Sequence, residues 1–340
     1  MKDLKYLLAY LTPLFTYSAL YYRGWFSWAT VIFAFVLVPA LDAMLGVDKI
    51  NESTSSSSSK ALNQVYDLLL YLNVPLLWSI VIYFVHVLTT TPLSTAELVG
   101  LVFSVGLAMG AMGINVAHEL GHKEEPLKKF LSASLLLPSL YMHFTMEHNL
   151  GHHKNIATDS DPASARKGEP LYAFWVRSVS GCYANAWKWQ RRILAKKGRP
   201  FWSIANQQIL FLLIQMSYLT ALYLYGGWSL VMVMVAAAII SFLLLESINY
   251  IEHYGLRRQL TGNGRYEQVS PIHSWNSDHI MGRIVLYELT RHSDHHYLAY
   301  KKYQNLDSHA SARQLPYGYP ASILLSLIPP LWYRVMDSRI

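Results

Sequence analysis

The chain runs to 340 residues, 53% hydrophobic and 14% charged, with a formal net charge of +7. A soluble domain carries roughly 25% charged residues, and here the apolar residues fall in long uninterrupted runs, which excludes an ordinary soluble globule and indicates a membrane protein. The single cysteine, Cys182, excludes a disulfide framework and any iron–sulfur or cysteine-type zinc site within this polypeptide, and reads as a structural thiol.

Lys2 and Lys5 followed by an apolar stretch imitate a signal peptide. No small-residue cleavage site follows, however, and Tyr21, Tyr22 and Arg23 lead directly into another apolar stretch, so this reads as an uncleaved first span. Six spans are expected, over residues 6–22, 26–46, 66–88, 92–117, 207–225 and 229–251, each near the ~20 apolar residues that cross a bilayer core. Trp25, Trp28, Trp228, Tyr21, Tyr22 and Tyr225 fall near span ends, where interfacial aromatics belong. Residues 130–144 form an apolar run too short to span and are expected to make an interfacial or re-entrant helix. The serine run within 51–60 reads as a flexible loop. The apolar patch at 320–333, broken by Pro329 and Pro330, is expected in the interface plane. The chain thus divides into spans one to four (1–117), a histidine-bearing region with the interfacial helix (118–206), spans five and six (207–251), and a second histidine-bearing region with the tail (252–340).

With the N-terminus inside, the short outer loops at 23–25, 89–91 and 226–228 hold one basic residue, Arg23, of the 28 in the chain. This is a strong positive-inside asymmetry. It accounts for the net charge through topology and anionic lipid, with no nucleic-acid partner needed.

The same topology gathers four histidine clusters on the cytoplasmic side: H-E-L-G-H-K (His118, His122), E-H-N-L-G-H-H (His148, His152, His153), E-H-Y-G (His253) and R-H-S-D-H-H (His292, His295, His296). Nine of the 14 histidines lie in them. One ion rarely needs more than four or five imidazoles, so nine point to two metal ions. His118 and His122 are one helical turn apart. If helical, His148 and His152 share a face with His153 turned away from them, and His292, His295 and His296 share a face. Glu119, Glu147, Glu252 and Asp294 suit another task, accepting the second ring N–H of a ligating histidine; Asp159, Asp161, Asn276 and Asp278 are further candidates. His143, His273 and His279 lie near the clusters but off their spacing and are expected beside the ligands. His86 and His309 read as polar tips at the headgroup level. His118–His122 also matches the H-E-x-x-H zinc-protease pattern with Glu119 as base, but such a site has no use for the remaining histidines. A metal transporter would place its ligands near the bilayer midplane, whereas these collect beyond the span ends. All-nitrogen ligation suits zinc, copper, iron or nickel. Iron that activates O₂ fits a site beside a lipid-filled bundle, where apolar substrates concentrate.

These four boxes, with N-Y-I-E-H-Y-G (249–255) and H-S-W-N-S-D-H (273–279), resemble the signature boxes of the membrane-bound alkane 1-monooxygenases over roughly residues 30–335. The three-residue gap between His148 and His152, and the N-Y-x-E-H-Y-G box, separate alkane and xylene hydroxylases from acyl desaturases. Thr290 departs from the glutamine common there, which touches a supporting contact. The resemblance implies an all-α, six-span integral protein of the bacterial inner membrane with a cytoplasmic histidine-rich di-iron domain. The nine histidines would bind two non-haem irons, with Glu119, Glu147, Glu252, Asp294, Asn276, Asp278 and His273 supporting them, and no haem or flavin. The reaction implied is terminal hydroxylation of medium- or long-chain n-alkanes to 1-alcohols, with O₂ as co-substrate. The electron donor implied is a separate rubredoxin, reduced by an NAD(P)H-dependent reductase. Arg191, Arg192, Lys196 and Lys197, and Lys301 and Lys302, are docking candidates for it. A substrate channel is expected along Phe33, Val36 and Leu37. A xylene-type methyl hydroxylase, an alkene epoxidase and an acyl desaturase are the competing substrate classes.

Overall fold

The computed structural model describes residues 2–51 and 64–340, so the serine run lies almost wholly outside the described residues. After a 3-10 stretch over Lys2–Tyr10 comes helix α1 (Leu11–Tyr22), followed by α2 (Gly24–Leu45), α3 (Gln64–Thr90) and α4 (Thr95–Gly121). Then come α5 (Pro126–Leu136), the helical segment α6 (144–155), α7 (Leu171–Lys196) and α8 (Gln207–His253). The polar tail carries α9 (Ile280–Val285), α10 (His292–Tyr297), α11 (Tyr319–Ser326) and α12 (Pro329–Met336). The strands β1 (Trp275–Asn276) and β2 (Arg313–Gln314) form a parallel pair with Trp275 opposite Arg313.

Local chemistry sets the boundaries. Ser94 Oγ accepts the amide of Glu97 at the start of α4, and Glu97 accepts the amide of Ser94 in return, a reciprocal cap. Asn206 caps α8 by accepting from the Gln208 and Ile209 amides at 3.0 and 3.3 Å. Proline opens α5, α11 and α12, where its missing N–H costs nothing.

Among the described residues, four helices, α2, α3, α4 and α8, are long and apolar enough to cross a membrane. The expected span at 6–22 is not among them. Its α-helical part is the 12 residues of α1, about 18 Å long at the α-helical rise, because the preceding stretch winds as a 3-10 helix. The 47-residue α8 covers both expected spans at 207–225 and 229–251. Gly227, at φ +71° and ψ −169°, breaks it in a conformation that only glycine adopts freely. Both ends return to one place. Gln208 Nε2 meets Met146 Sδ at 3.4 Å, and Glu246 accepts the Tyr141 hydroxyl at 2.8 Å, so α8 is a hairpin of two arms.

The second arm packs tightly on α4. A β-carbon at Gly106 would lie 2.8 Å from the Ala237 carbonyl oxygen, and one at Gly110 would lie 2.8 Å from Leu244. Small residues let the two backbones approach where lipid supplies no hydrophobic drive of its own. The apolar run at 130–144 is split. Its first part lies in α5, which docks on α4 through Ser132 Oγ donating to the Ala117 carbonyl at 2.7 Å, and the rest is turn and the start of α6. The patch at 320–333 folds as α11 and α12, with buried Tyr319, Ile323, Trp332 and Met336 joining Tyr250 and Tyr254 of the α8 end in a second core. This packing brings the ends of α4 and α8, the turn in α6, and α10 to one point.

Candidate metal centre

The nine histidines converge there in two groups. His118, His122, His148, His153 and His295 form one, and His152, His253, His292 and His296 the other; within each group one candidate ligand atom per residue lies within 4.8 Å of every other. His122 and His153 are half-buried and the other seven are buried.

The grouping follows from the backbone rather than from a regular helix. Residues His148–His152 wind as a π-helical turn, so positions five apart rather than four come into register. His148 therefore faces His153, Nε2 to Nε2 at 2.9 Å, while His152 turns into the other group. This corrects the expectation that His148 and His152 share a face. The expectation for α10 is corrected likewise: His292 and His296 enter the second group, with ring centroids 4.3 Å apart, whereas His295 joins the first beside His118 at 4.4 Å. The three side chains fan across two adjoining volumes instead of one.

Burial holds His122, His148, His153, His292, His295 and His296 far below the usual imidazole range, with neighbouring histidines adding to the effect. Neutral rings keep a lone pair free. Nε2 of His118, His122, His152, His295 and His296 is buried without a hydrogen-bond partner. Leaving so many buried acceptors unpaired is costly unless they bind something. His152 differs: burial opposes its charge, but Asp161, with Glu147 and Glu246, outweighs burial and raises it. Asp161 Oδ2 lies 2.8 Å from His152 Nδ1, which leaves Nε2 aimed at the group.

The supporting residues divide by what they touch. Glu252 joins His292 Nε2 at 3.1 Å and accepts the Tyr319 hydroxyl at 2.7 Å. Glu147 is buried beside Asp161 and His152; burial and the Asp161 charge push its carboxyl up to about 8. Glu119 turns instead to Lys123 at 3.1 Å and to the Tyr303 amide. Asp294 points away from the rings of α10, binding Lys301 and the Asp307 amide at 2.8 Å each and His309 at 2.7 Å. Asn276 and Asp278 act on α10 from behind. Asn276 accepts the Ser293 amide at 2.9 Å, and Asp278 meets Arg291 at 3.3 Å. The His273 ring is spoken for by Glu267 at 3.0 Å, so its side chain does not face the groups. Asp159 is exposed, facing Arg257 at 3.8 Å.

Other expectations are corrected. His309 is not a headgroup tip, since it clamps Asp294. Lys301 and Lys302 are not free for docking, because Lys301 binds Asp294 and Asp307 and Lys302 binds Asp67. His143 does lie beside the ligands as expected, lining a small cavity with His148 and His152 and packed between the Tyr141 and Tyr183 rings, while His279 bonds Ser277 at 3.0 Å.

An apolar cavity lies beside the centre, lined by Phe33, Ala34, Phe35, Val38, Leu107 and Ala111 among others. A second chamber holds His118, His148, His292 and Glu252, and both chambers share Leu244, Ile248, Leu286 and Tyr319 as walls. Phe33 thus lines the cavity, but Val36 and Leu37 do not. They are 57% and 40% exposed, because the π turn at Phe33–Leu37 rotates them to the outside.

Residues 94–324, which contain all nine histidines, match the fatty acid desaturase family pattern. Over 331 residues the chain is 34% identical to alkane 1-monooxygenase 1 of Alcanivorax borkumensis, covering 97% of this chain and 82% of that protein. It is 38% identical over 322 residues to alkane 1-monooxygenase 2 of Pseudomonas aeruginosa, covering 94% and 85%. The chain belongs to the alkane 1-monooxygenase family. A xylene/toluene monooxygenase hydroxylase component of Pseudomonas putida is similar at 27% identity, covering 99% of this chain and 88% of that protein.

The donor set fits a transition-metal ion such as iron, since buried neutral imidazoles with unpaired Nε2 atoms form two compact groups. Some of the framework of this monooxygenase was not visible in the sequence. Glu246 ties three segments together, accepting Tyr141 at 2.8 Å, Ser178 at 2.5 Å and Asn249 at 3.3 Å. An isolated glutamate in an apolar span, as in L-L-L-E-S, was the signal for it. Tyr319 carried no signal, being one of 24 tyrosines.

Proposed function

We propose that the protein hydroxylates the terminal carbon of medium- or long-chain n-alkanes at a di-iron centre held by the nine histidines. The first iron would be held by His118, His122, His148, His153 and His295, the second by His152, His253, His292 and His296. One alkane, one O₂, two electrons and two protons give one 1-alcohol and one water. The electrons arrive singly from a reduced rubredoxin, which an NAD(P)H-dependent reductase restores. The observation that carries this reading is the apolar cavity sharing walls with the histidine chamber. Bound iron supplies the activation of O₂.

The protein's own residues do the rest. Asp161 fixes the His152 tautomer, and Glu252, itself fixed by Tyr319, holds the His292 ring. Leu244, Ile248, Leu286 and the cavity walls exclude water and orient the chain by shape, because a methyl group offers nothing to hydrogen-bond. The distribution of basic residues supports a bacterial inner-membrane location, with both termini and the metal centre cytoplasmic.

The test is metal content and turnover on one detergent-purified sample. Iron is counted per chain, and octane, hexadecane and xylene are each supplied with O₂, rubredoxin, reductase and NADH. Two irons and 1-alcohols are the expected result. Methylarene oxidation without alkane oxidation would move the substrate class to that of the xylene relative, and zinc or no metal would overturn the reading.

A further inference from the structure

The turn that carries His148, His152 and His153 packs at Gly151 against a half-buried side chain of α7. Trp189 of α7 lies against Gly151: a β-carbon there would stand 3.1 Å from the indole Nε1. Gly151 is the residue immediately before His152. The indole is half-buried, and two exposed cations flank its outer side, with Lys154 Nζ 5.6 Å and the Arg192 guanidinium 4.9 Å from its ring. Lys188 is exposed on the neighbouring turn. Helix α7 contains no acidic residue, and among the described residues none of these three cations pairs with a carboxylate.

Three cations further along serve a different neighbourhood. Lys196, Lys197 and Arg199 lead into a segment whose Trp202 and Ile204 are 82% and 94% exposed, a composition suited to the lipid interface. Lys154 and Arg192 instead converge on an indole whose far side touches the histidine turn. Lipid binding gives no reason for that convergence.

We propose that Lys154, Lys188 and Arg192 form the docking patch for an acidic one-electron carrier protein, with Trp189 the side chain that links the patch to the histidine turn. This rests on the monooxygenase reading above. Each transfer oxidises the carrier by one electron and reduces the metal centre by one; no bond forms or breaks, and Trp189 gains or loses no proton. Complementary charge brings the carrier in quickly and sets its orientation, more than it adds raw affinity.

Binding is measured on the full-length protein in detergent, with purified rubredoxin as the probe, at low and at physiological salt. Lys154→Glu and Arg192→Glu are each expected to raise Kd roughly tenfold at low salt and to flatten its salt dependence. Arg265→Glu, an equal charge change at another exposed site, should leave Kd near wild type. Trp189→Leu should keep Kd and iron content but slow single-turnover oxidation of reduced rubredoxin by about tenfold, with Trp189→Phe intermediate. If Lys154→Glu and Arg192→Glu bind like Arg265→Glu, the patch is refuted. If they lose only adhesion to vesicles containing phosphatidylglycerol, the cations serve lipid and the proposal is overturned. An unchanged transfer rate in Trp189→Leu removes the indole from the path. Iron content and alcohol formation of the wild type, measured in parallel, separate these failures from failure of the monooxygenase reading itself.

Discussion

His148 Nε2 lies 2.9 Å from the Nε2 of His153, five residues along the chain. That single relationship divides the histidines into two groups. An α-helical turn would aim His148 and His152 together and leave His153 outside; the π turn sends His152 to His253, His292 and His296 and gives His153 to the first group. A second π turn, Met109–Ile114 in α4, precedes His118 and His122 and supplies Gly110 and Ala111 to the walls of the two chambers. Both turns open the helix where the centre needs side chains at an unusual spacing.

The two groups differ in size, and removing one ligand should reveal it. His152→Ala leaves its group with three histidines, whereas His122→Ala leaves the other with four. Iron per chain is expected to fall to about one in His152→Ala and to stay closer to two in His122→Ala, since a site of four imidazoles remains complete. Metal analysis of both purified variants checks this, and equal loss in the two would mean the ions are not held separately.

Asp161→Asn tests the carboxylate behind His152. The 2.8 Å contact fixes which ring nitrogen faces the group, and its loss costs orientation and basicity together. Such supporting carboxylates are worth about 10- to 100-fold in metal affinity or activity. Iron retention against a chelator should weaken by that order while the fold, followed by circular dichroism, is kept. Retention equal to wild type would assign Asp161 to packing.

The sequence made the helices, the membrane character and the identity of all nine converging histidines legible, because periodic apolar runs and clustered imidazoles are local signals. It did not show which histidines group together. That depends on the π turn at His148–His152 and on how the α-helical His292–Tyr297 spreads its rings over two adjoining volumes, and E-H-N-L-G-H-H looks the same written on either winding. Val36 and Leu37 were misplaced for the same reason, the π turn at Phe33–Leu37 having rotated them outward. His309 was misread because its partner Asp294, 15 residues away, is brought to it only by the folding of the tail. Glu246 and Tyr319 act through partners distant in sequence, and no spacing rule reaches them.

Ala111 offers a cleaner probe of the cavity than the second span does. It lines the apolar chamber from the π turn of α4, facing the side lined by Phe33 and Val38. Ala111→Phe adds a ring to that space and should shorten the accepted chain, lowering kcat/KM for hexadecane roughly tenfold relative to octane, the order that one steric change in an apolar pocket supplies. Product analysis with both alkanes decides it. Val36→Trp, by contrast, should leave the profile unchanged, because that side chain faces outward.

Glu288 gives a prediction about acid. It is buried, with Arg283 and Lys5 each 2.6 Å away and the Tyr6 hydroxyl at 3.0 Å, joining the N-terminal stretch to the end of α9. Burial alone would raise its carboxyl, but the Arg283 and Lys5 charges outweigh it and hold the group at about 2. A free glutamate titrates near pH 4.3. The folded state therefore binds this proton less readily than the unfolded one, and the stabilisation is complete above about pH 5 and lost as pH falls towards 2. Glu288→Gln should lower stability by on the order of 3 kcal/mol at neutral pH, since it leaves the Arg283 charge buried without that partner. Thermal unfolding in detergent should show the gap between wild type and variant closing as pH drops below about 4. A gap that is constant with pH would mean the carboxylate charge is not what joins these two segments.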